Sequence, residues 1–356
     1  MNSTNTTRNN SGLGLRTVFM SLLLVIVLFQ FSSCSIIDDD RDDCEVNLHV
    51  RYQVTLKTNL TTQVQTVLRD QRLENAVADL LMDSLKNIFR EYANDVDLSF
   101  YINHERRYHA KDYMRDNQKV YELTLPADNY RHLALANTEV EQEVDVDGGD
   151  QVDRLTLQQE GGDTILGHQT GVFTARQNMN ILGNQDQTFD VTLYMANCAS
   201  ILVVNTGYAS YRDIRVVSSD FADGFQVNDS VFTHNTNPIV KDYRVTQPPV
   251  EREIFYAVTF PSYDSREEVV ANPATRATSE ETGSSEDERI WRKFVYVTLP
   301  DGSITRTIIN VRQPLQAGQI MIIYAYMYPD GRIVSPNVEV GTSVTLNWKD
   351  GLIIGS

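Results

Sequence analysis

After residue 34, this sequence lacks any hydrophobic run long enough to cross a bilayer. The apolar stretch before it, residues 18–31, is also shorter than the ~20 residues that a transmembrane helix needs. With Arg8 and Arg16 ahead of it, this stretch has the proportions of a signal peptide. We therefore expect the chain to be exported and no part of it after Cys34 to span a membrane.

Basic residues are fewer than acidic residues in this sequence. The chain has 31 Lys and Arg against 48 Asp and Glu, and its formal net charge is −17. Nucleic acids and anionic lipid surfaces would be repelled by such a protein. The composition therefore predicts that nucleic acid is not a partner.

Motifs of known enzymes are also missing. The sequence has no His-Glu-x-x-His, no glycine-rich phosphate loop after a strand and no Gly-x-Ser-x-Gly elbow. His104 and His109 lie near Glu105, but a surface loop is a better interpretation than a metal pair. Asp145–Asp150 lacks the fifth-position ligand and the closing Glu of a calcium loop. We expect a protein that is not an enzyme and has no cofactor.

The signal-like stretch ends in Phe31-Ser32-Ser33-Cys34, which is typical of a bacterial lipobox. It predicts that residues 1–33 are removed, that Cys34 carries lipid and that the lipid (a palmitate among its chains) anchors the protein. Several acyl chains on one cysteine hold a protein firmly to a membrane. An ordinary N-terminal transmembrane anchor is the alternative, and the cysteine at the exit favours the lipoprotein.

An acidic run, Asp38–Asp43, follows the lipobox closely. It resembles the export signal that surface lipoproteins of Bacteroidales carry just after their lipidated cysteine. That resemblance implies a lipid-anchored, surface-exposed location on the cell outer membrane. The alternative is a solvated acidic linker, which is what most charge runs are.

Two cysteines remain once Cys34 is lipidated, Cys44 and Cys198. An even pair in an exported protein predicts one disulfide bond between them. Two free thiols are the alternative.

The hydrophobic pattern is mostly that of β-strands. Apolar and polar residues alternate strictly over residues 46–56, as in a half-buried strand. Apolar residues at helical spacing then predict one helix over about 70–93, with Asp70 as its N-cap. Further strands are predicted at 96–102, 120–125, 130–137, 171–174, 189–195, 201–204, 214–217, 254–258 and 344–348. Two Asp-Gly turns, at Asp301-Gly302 and Asp330-Gly331, predict hairpins.

Segments without an apolar face separate these strands. Residues 139–163 are predicted to form an exposed loop, and residues 265–288 to be disordered. Short strands with frequent turns favour a mainly β fold of the sandwich type. The length left after removal of residues 1–33 favours two domains, which we place at 34–188 and 189–356.

Three segments together resemble one family. Asp42–Glu45 leads directly into Leu48-His49-Val50-Arg51-Tyr52. Leu123–Tyr130 continues into an apolar strand ending at Asn137, and Val191–Asn197 continues into a second apolar strand. The order and spacing of these segments resemble the FimB/Mfa-like fimbrial anchor family of type V pili. Asp128, in place of the family's usual glycine, and a long insert at residues 56–94 depart from that pattern.

This resemblance implies two transthyretin-like β-sandwich domains in tandem, with one inserted helix in the first. It also implies a non-enzymatic role in cell adhesion. The protein would anchor a fimbrium (pilus) to the outer membrane, or form a minor subunit of it. Its partners would be other fimbrial subunits, bound by β-strand addition to an open sheet edge.

Two other functions stay open. A polymerising stalk or tip subunit would lose its first strand by cleavage after an arginine, and Arg51, Arg69 and Arg72 are available. A surface glycan-binding lipoprotein would need exposed aromatic side chains. The sequence has only two tryptophans, Trp291 and Trp348, and both lie in strand-like patterns.

Overall fold

The structure is a computed structural model, and its described residues begin at Asn47. They are 47–57, 75–86, 88, 93–113, 120–139, 144–159, 164–183, 186–207, 209–236, 238–246, 251–262, 291–336, 339–340 and 344–346. Cys34, Cys44 and the segment 265–288 therefore lie outside them. Residues 47–356 form one compact unit, distinct from residues 1–46. Within the described ranges, no helix is long and apolar enough to cross a membrane.

The first half of the described chain contains ten strands and one α-helix, α1, at Asn75–Leu85. The strands are β1 (Asn47–Lys57), β2 (Asp95–Ile102), β3 (Glu105–Tyr113), β4 (Val120–Pro126), β5 (Asn129–Ala136), β6 (Val144–Asp147), β7 (Thr156–Gln159), β8 (Thr164–Leu166), β9 (Phe173–Asn180) and β10 (Gln187–Met195). A 3₁₀ turn at Val152–Arg154 lies between β6 and β7.

The second half of the described chain is β-structure throughout. Its strands are β11 (Cys198–Asn205), β12 (Asp213–Ser219), β13 (Gly224–Gln226), β14 (Val231–Thr233), β15 (Ile239–Lys241), β16 (Tyr243–Arg244), β17 (Arg252–Thr259), β18 (Trp291–Thr298), β19 (Ile304–Val311), β20 (Ile320–Met327), β21 (Ile333–Val334), β22 (Glu339–Val340) and β23 (Val344–Leu346). The predicted mainly β class is confirmed.

The strands form four sheets. Sheet 1 has the order β3-β2-β5-β9-β10-β1-β4, and sheet 2 the order β14-β13-β7-β6. Sheet 3 has the order β16-β17-β11-β20-β21. Sheet 4 has the order β22-β19-β18-β12-β15-β8, and β23 also pairs with β19.

Sheet 3 is buried on both faces. Ala199, Ile201 and Val203 of β11 join the core that contains the inward residues of sheet 1. Leu202 and Val204 point the other way, into a core shared with sheet 4. Sheets with two covered faces have continuous apolar runs, which explains why residues 201–204 and 254–258 do not alternate.

The predicted domain boundary at 188/189 falls inside β10, a strand of sheet 1. Moreover, β8 pairs with β15 in sheet 4, and β7 pairs with β13 in sheet 2, so strands from both sides of the boundary share sheets. The division into two transthyretin-like domains stays a prediction, and sheet membership does not change at residue 188.

Helix α1 lies within the predicted range but is shorter than residues 70–93. Leu81, Leu85 and Ile88 are buried, whereas Leu80 is 44% exposed. The predicted cap Asp70 lies outside the described residues. The helical stripe thus packs on the core of sheet 1, as its spacing predicts.

Two loop predictions are wrong. Residues 139–163 contain β6 and β7, whose Val144 and Leu157 are buried. The segment around His104 and His109 is not a surface loop but a hairpin of β2 and β3. Strand β3 is a charged edge strand, and it packs only Tyr108 and Ala110 against the core, which is too short an apolar face to be recognised in the sequence.

Both Asp-Gly hairpins are confirmed. Trp291–Thr298 pairs with Ile304–Val311, and Tyr326-Met327 pairs with Ile333-Val334. Gly302 and Gly331 have φ values of 88° and 78°, which only glycine adopts without strain.

Candidate functional site

Strand β1 occupies a slot between two other strands of sheet 1. It runs parallel to β10, with Val50 opposite Gln187 and Lys57 opposite Tyr194. On its other side it runs antiparallel to β4, with Asn47 opposite Pro126 and Gln53 opposite Val120. Because both of its edges are paired, β1 is an integral part of the sheet.

The predicted alternation of β1 is confirmed. Val50, Tyr52, Val54 and Leu56 are buried, and the residues between them are exposed. Burying side chains of this size contributes roughly 1.5–3 kcal/mol each relative to leaving them in water. Removal of β1 would therefore expose the inner face of sheet 1.

A buried polar contact ties β1 to strands that are not its neighbours. The Tyr52 hydroxyl donates to Nε2 of His132 on β5 at 2.5 Å, and Nδ1 of His132 donates to the carbonyl of Ser99 on β2 at 3.0 Å. The carbonyl can only accept, so Nδ1 carries the proton. The imidazole also stacks on Phe100, with ring centroids 4.4 Å apart.

Burial keeps both partners of this contact neutral. It lowers the pKa of His132 to about 4, and it raises the pKa of Tyr52 well above its ordinary value. A neutral imidazole can accept the tyrosine proton at Nε2, whereas an imidazolium cannot. The Tyr52–His132 hydrogen bond therefore requires both side chains to be uncharged.

The described edges of sheet 1, β3 and β4, differ in charge. β3 contains Arg106, Arg107, Lys111 and two acidic residues, and most of it is exposed. Charged edge strands resist pairing with another chain. β4 contains one charged residue, Glu122, and buries Tyr121 and Leu125. Of the two, β4 is the edge whose chemistry suits an added strand.

A cleft of about 470 Å³ opens beside the start of β1. It is lined by Val50, Arg51, Glu122, Asp186, Gln187 and Thr188. Arg51 lies directly opposite Glu122 in the ladder of β1 and β4. The cleft is therefore lined by charged side chains of opposite sign, one on β1 and one on the neighbouring strand β4.

The two asparagines that end the family-like motifs hold one and the same peptide. Asn137 donates from Nδ2 to the carbonyl of Gly171 at 2.8 Å. Asn197 accepts at Oδ1 from the N–H of Val172 at 2.5 Å. Both side chains are buried, and Asn137 has a φ of 60°, in the left-handed region that asparagine tolerates. The motifs thus specify how residues 171–172 are fixed before β9.

We expect Asn197→Ala and Asn137→Ala each to lower the free energy of unfolding by about 1–3 kcal/mol, because each leaves a buried backbone group unpaired. Urea unfolding of the mature protein measures this. Asn180→Ala, at an exposed position on β9, is the control and should change little. Equal effects at all three positions would contradict this role.

The predicted site residues are only partly described. Cys34 and Cys44 lie outside the described residues. Cys198 is a free cysteine in the structure, fully buried, and its Sγ contacts the carbonyl of Phe260 at 3.4 Å. Burial raises the pKa of its thiol, which disfavours the thiolate form. The Cys44–Cys198 disulfide stays a prediction, which peptide mapping without reduction can test.

The histidines considered for metal binding have carboxylate partners. His104 Nδ1 lies 2.7 Å from Asp153, and His109 Nε2 lies 2.9 Å from Asp97. Among the described residues, no group of three or more His, Cys, Asp or Glu side chains could hold a metal ion.

Trp291 is unsuited to glycan binding because it is fully buried, and its Nε1 donates to the carbonyl of Gln313 at 2.9 Å. Trp348 lies outside the described residues.

No protein-family model matches this chain, and no curated protein does. Solved structures do match it. The fimbrial anchor protein Mfa2 from Porphyromonas gingivalis is 10% identical, with a TM-score of 0.47, over 83% of this chain and 97% of that one. A fimbrial assembly protein from Parabacteroides distasonis is 11% identical, with a TM-score of 0.38, over 83% and 98%.

A third structure comes from Bacteroides thetaiotaomicron and is provisionally described as a polysaccharide-binding protein. It is 11% identical, with a TM-score of 0.48, over 85% of this chain and 100% of that one. Of these neighbours, one is described as a fimbrial anchor protein and another as a fimbrial assembly protein.

Proposed function

We propose that this chain is an outer-membrane lipoprotein of the FimB/Mfa-like family that anchors a fimbrium, or forms a minor subunit of it. The lipid on Cys34 would attach the protein to the outer membrane. A strand from a neighbouring fimbrial subunit would add to a free sheet edge, for which β4 is the best suited of the two described edges of sheet 1. Main-chain hydrogen bonds would give this contact its affinity.

The observation that carries the proposal is the integration of β1 into sheet 1. A polymerising subunit that is activated by arginine-specific cleavage must give up its first strand. Here β1 is paired on both edges, and Tyr52 is bonded to His132 in the core. Arg51 lies within the paired part of β1, where a protease could cleave only after the strand had left the sheet. A first strand that is tied into the core in this way would be costly to remove, which supports an anchor over a stalk subunit.

The N-terminus of the protein on the cell surface tests this proposal. We expect mass spectrometry of outer-membrane fractions to find a lipid-modified peptide beginning at Cys34, together with peptides that cover residues 47–57. An N-terminus after Arg51, Arg69 or Arg72 would support the stalk or tip subunit instead. An unmodified N-terminus before Cys34 would show that the protein is not a lipoprotein.

A further inference from the structure

Lys293 is a lysine without access to solvent. It lies on β18 and is 0% exposed, between Trp291 and Val295 of the core shared by sheets 3 and 4. Lysine is almost never fully buried unless its charge is paired. The surroundings of Nζ therefore call for an explanation.

Three side chains form a closed cluster around Nζ. Lys293 Nζ contacts Oδ2 of Asp242 and donates to Oγ of Ser218 at 2.9 Å. Ser218 Oγ in turn donates to the other carboxylate oxygen of Asp242 at 2.7 Å. The Asp242 side chain is 0% exposed, and Ser218 is the direct cross-strand partner of Lys293.

Burial changes which reactions the Lys293 amine and the Asp242 carboxyl group can undergo. In water, an ammonium and a carboxylate are stabilised as separate ions by hydration, and they do not condense. Inside the core that hydration is lost, at a cost of several kcal/mol for each ion. Burial also lowers the pKa of Lys293, which favours the neutral, nucleophilic amine.

We propose that Lys293 and Asp242 join in an intramolecular isopeptide bond, with Ser218 as a proton relay. Proton transfer within the pair gives a neutral amine and a carboxylic acid. The nitrogen lone pair forms a bond to Cγ of Asp242. The Ser218 hydroxyl then accepts a proton from that nitrogen and passes its own proton to a carboxyl oxygen. The C–O bond breaks, and one water molecule leaves. The products are an amide and water, and nothing is oxidised or reduced.

The bond would link β18 to the residue between β15 and β16, within the core between sheets 3 and 4. It would remove two buried charges and close a covalent loop from residue 242 to residue 293. The inference is independent of the proposed anchoring function, because it depends only on the geometry of three buried side chains.

Trypsin digestion of the purified mature protein tests it. Trypsin cleaves after Lys241 and Arg244 and after Arg292 and Arg306, but it does not cleave after a lysine whose Nζ is in an amide. We expect a branched peptide in which residues 242–244 are joined to residues 293–306, lighter by one water than the two peptides together. Fragmentation should place the link between Asp242 and Lys293.

Single substitutions distinguish the roles of Lys293, Asp242 and Ser218. Lys293→Met should release the free peptide 242–244, and so should Asp242→Ala. Ser218→Ala should slow bond formation by about 10²-fold, as expected for loss of a proton relay, so that the freshly purified variant still releases free peptide 242–244 on digestion, and Ser218→Thr should restore the cross-link. The wild-type digest is decisive even if a variant fails to fold. Full recovery of free 242–244 and 294–306 from folded wild-type protein would show an ion pair only and would overturn the proposal.

Discussion

Tyr52→Ala is expected to lower the free energy of unfolding by about 3–5 kcal/mol, the usual cost of removing a large buried aromatic side chain. Tyr52 is 0% exposed in the core of sheet 1, and its hydroxyl is the partner of His132. The substitution removes the ring and also leaves Nε2 of a buried imidazole unsatisfied. Urea unfolding of the mature protein, followed by tryptophan fluorescence or circular dichroism, measures the change.

Two variants make this result specific. Tyr52→Phe keeps the ring and should cost about 1–3 kcal/mol, since only the buried hydrogen bond is lost. Tyr194→Ala on the neighbouring strand β10 removes a tyrosine that is 58% exposed, and it should change stability by less than about 0.5 kcal/mol. If Tyr52→Ala were as mild as Tyr194→Ala, β1 would not be the integral strand described above.

Acid is expected to destabilise the fold through two buried histidines. Burial lowers the pKa of His132 and of His168 to about 4. The unfolded chain titrates near 6.5, so below that pH the unfolded state binds protons that the folded state does not. The stability that each neutral histidine contributes is therefore complete above pH 6.5 and is lost as the pH falls toward 4. The difference corresponds to about 3 kcal/mol for each histidine.

His132→Asn isolates this effect from the many carboxylates of the chain. Asparagine can still donate to the Ser99 carbonyl but does not titrate. The loss of stability between pH 7 and pH 4 should then shrink by about 3 kcal/mol relative to wild type. An identical pH dependence in wild type and His132→Asn would show that His132 is not held neutral.

The elements that could be predicted from sequence are those whose own residues carry the pattern. The strict alternation of residues 46–56 predicts β1 because one face of that strand is buried and the other is exposed. The Asp-Gly pairs predict both hairpins because few other sequences form such tight turns. The helical spacing of Leu81, Leu85 and Ile88 predicts α1, although its described bounds are shorter than the pattern indicates.

The elements that were missed have few apolar residues of their own, so their structure depends on the strands they pair with. β3 is a charged edge strand whose partner in the sheet is β2, and it packs only Tyr108 and Ala110 against the core. β6 and β7 are short and pair with each other, and β7 also pairs with β13 from the other half of the chain. Strand formation of this kind depends on context rather than on local propensity.

In the candidate functional site, too, some residues could be predicted from the sequence but their contacts could not. Tyr52 could be recognised as an inward-facing residue, but its contact with His132 depends on how sheet 1 brings β1 and β5 together. His132 directly precedes the apolar run Leu133–Ala136, which is the only local sign that it is buried. The buried Lys293, likewise, lies in a strand whose pattern gives no indication of its partner Asp242, 51 positions away.

Fimbriae on cells of the producing bacterium provide the most direct test of the proposed function. The gene is deleted and then restored either as wild type or as Cys34→Ser, and fimbriae are quantified on the cells and in the medium. We expect deletion and Cys34→Ser to release fimbriae into the medium, and wild type to return them to the cells. Fimbriae that stay on the cells in unchanged number and length after deletion would contradict an anchoring role.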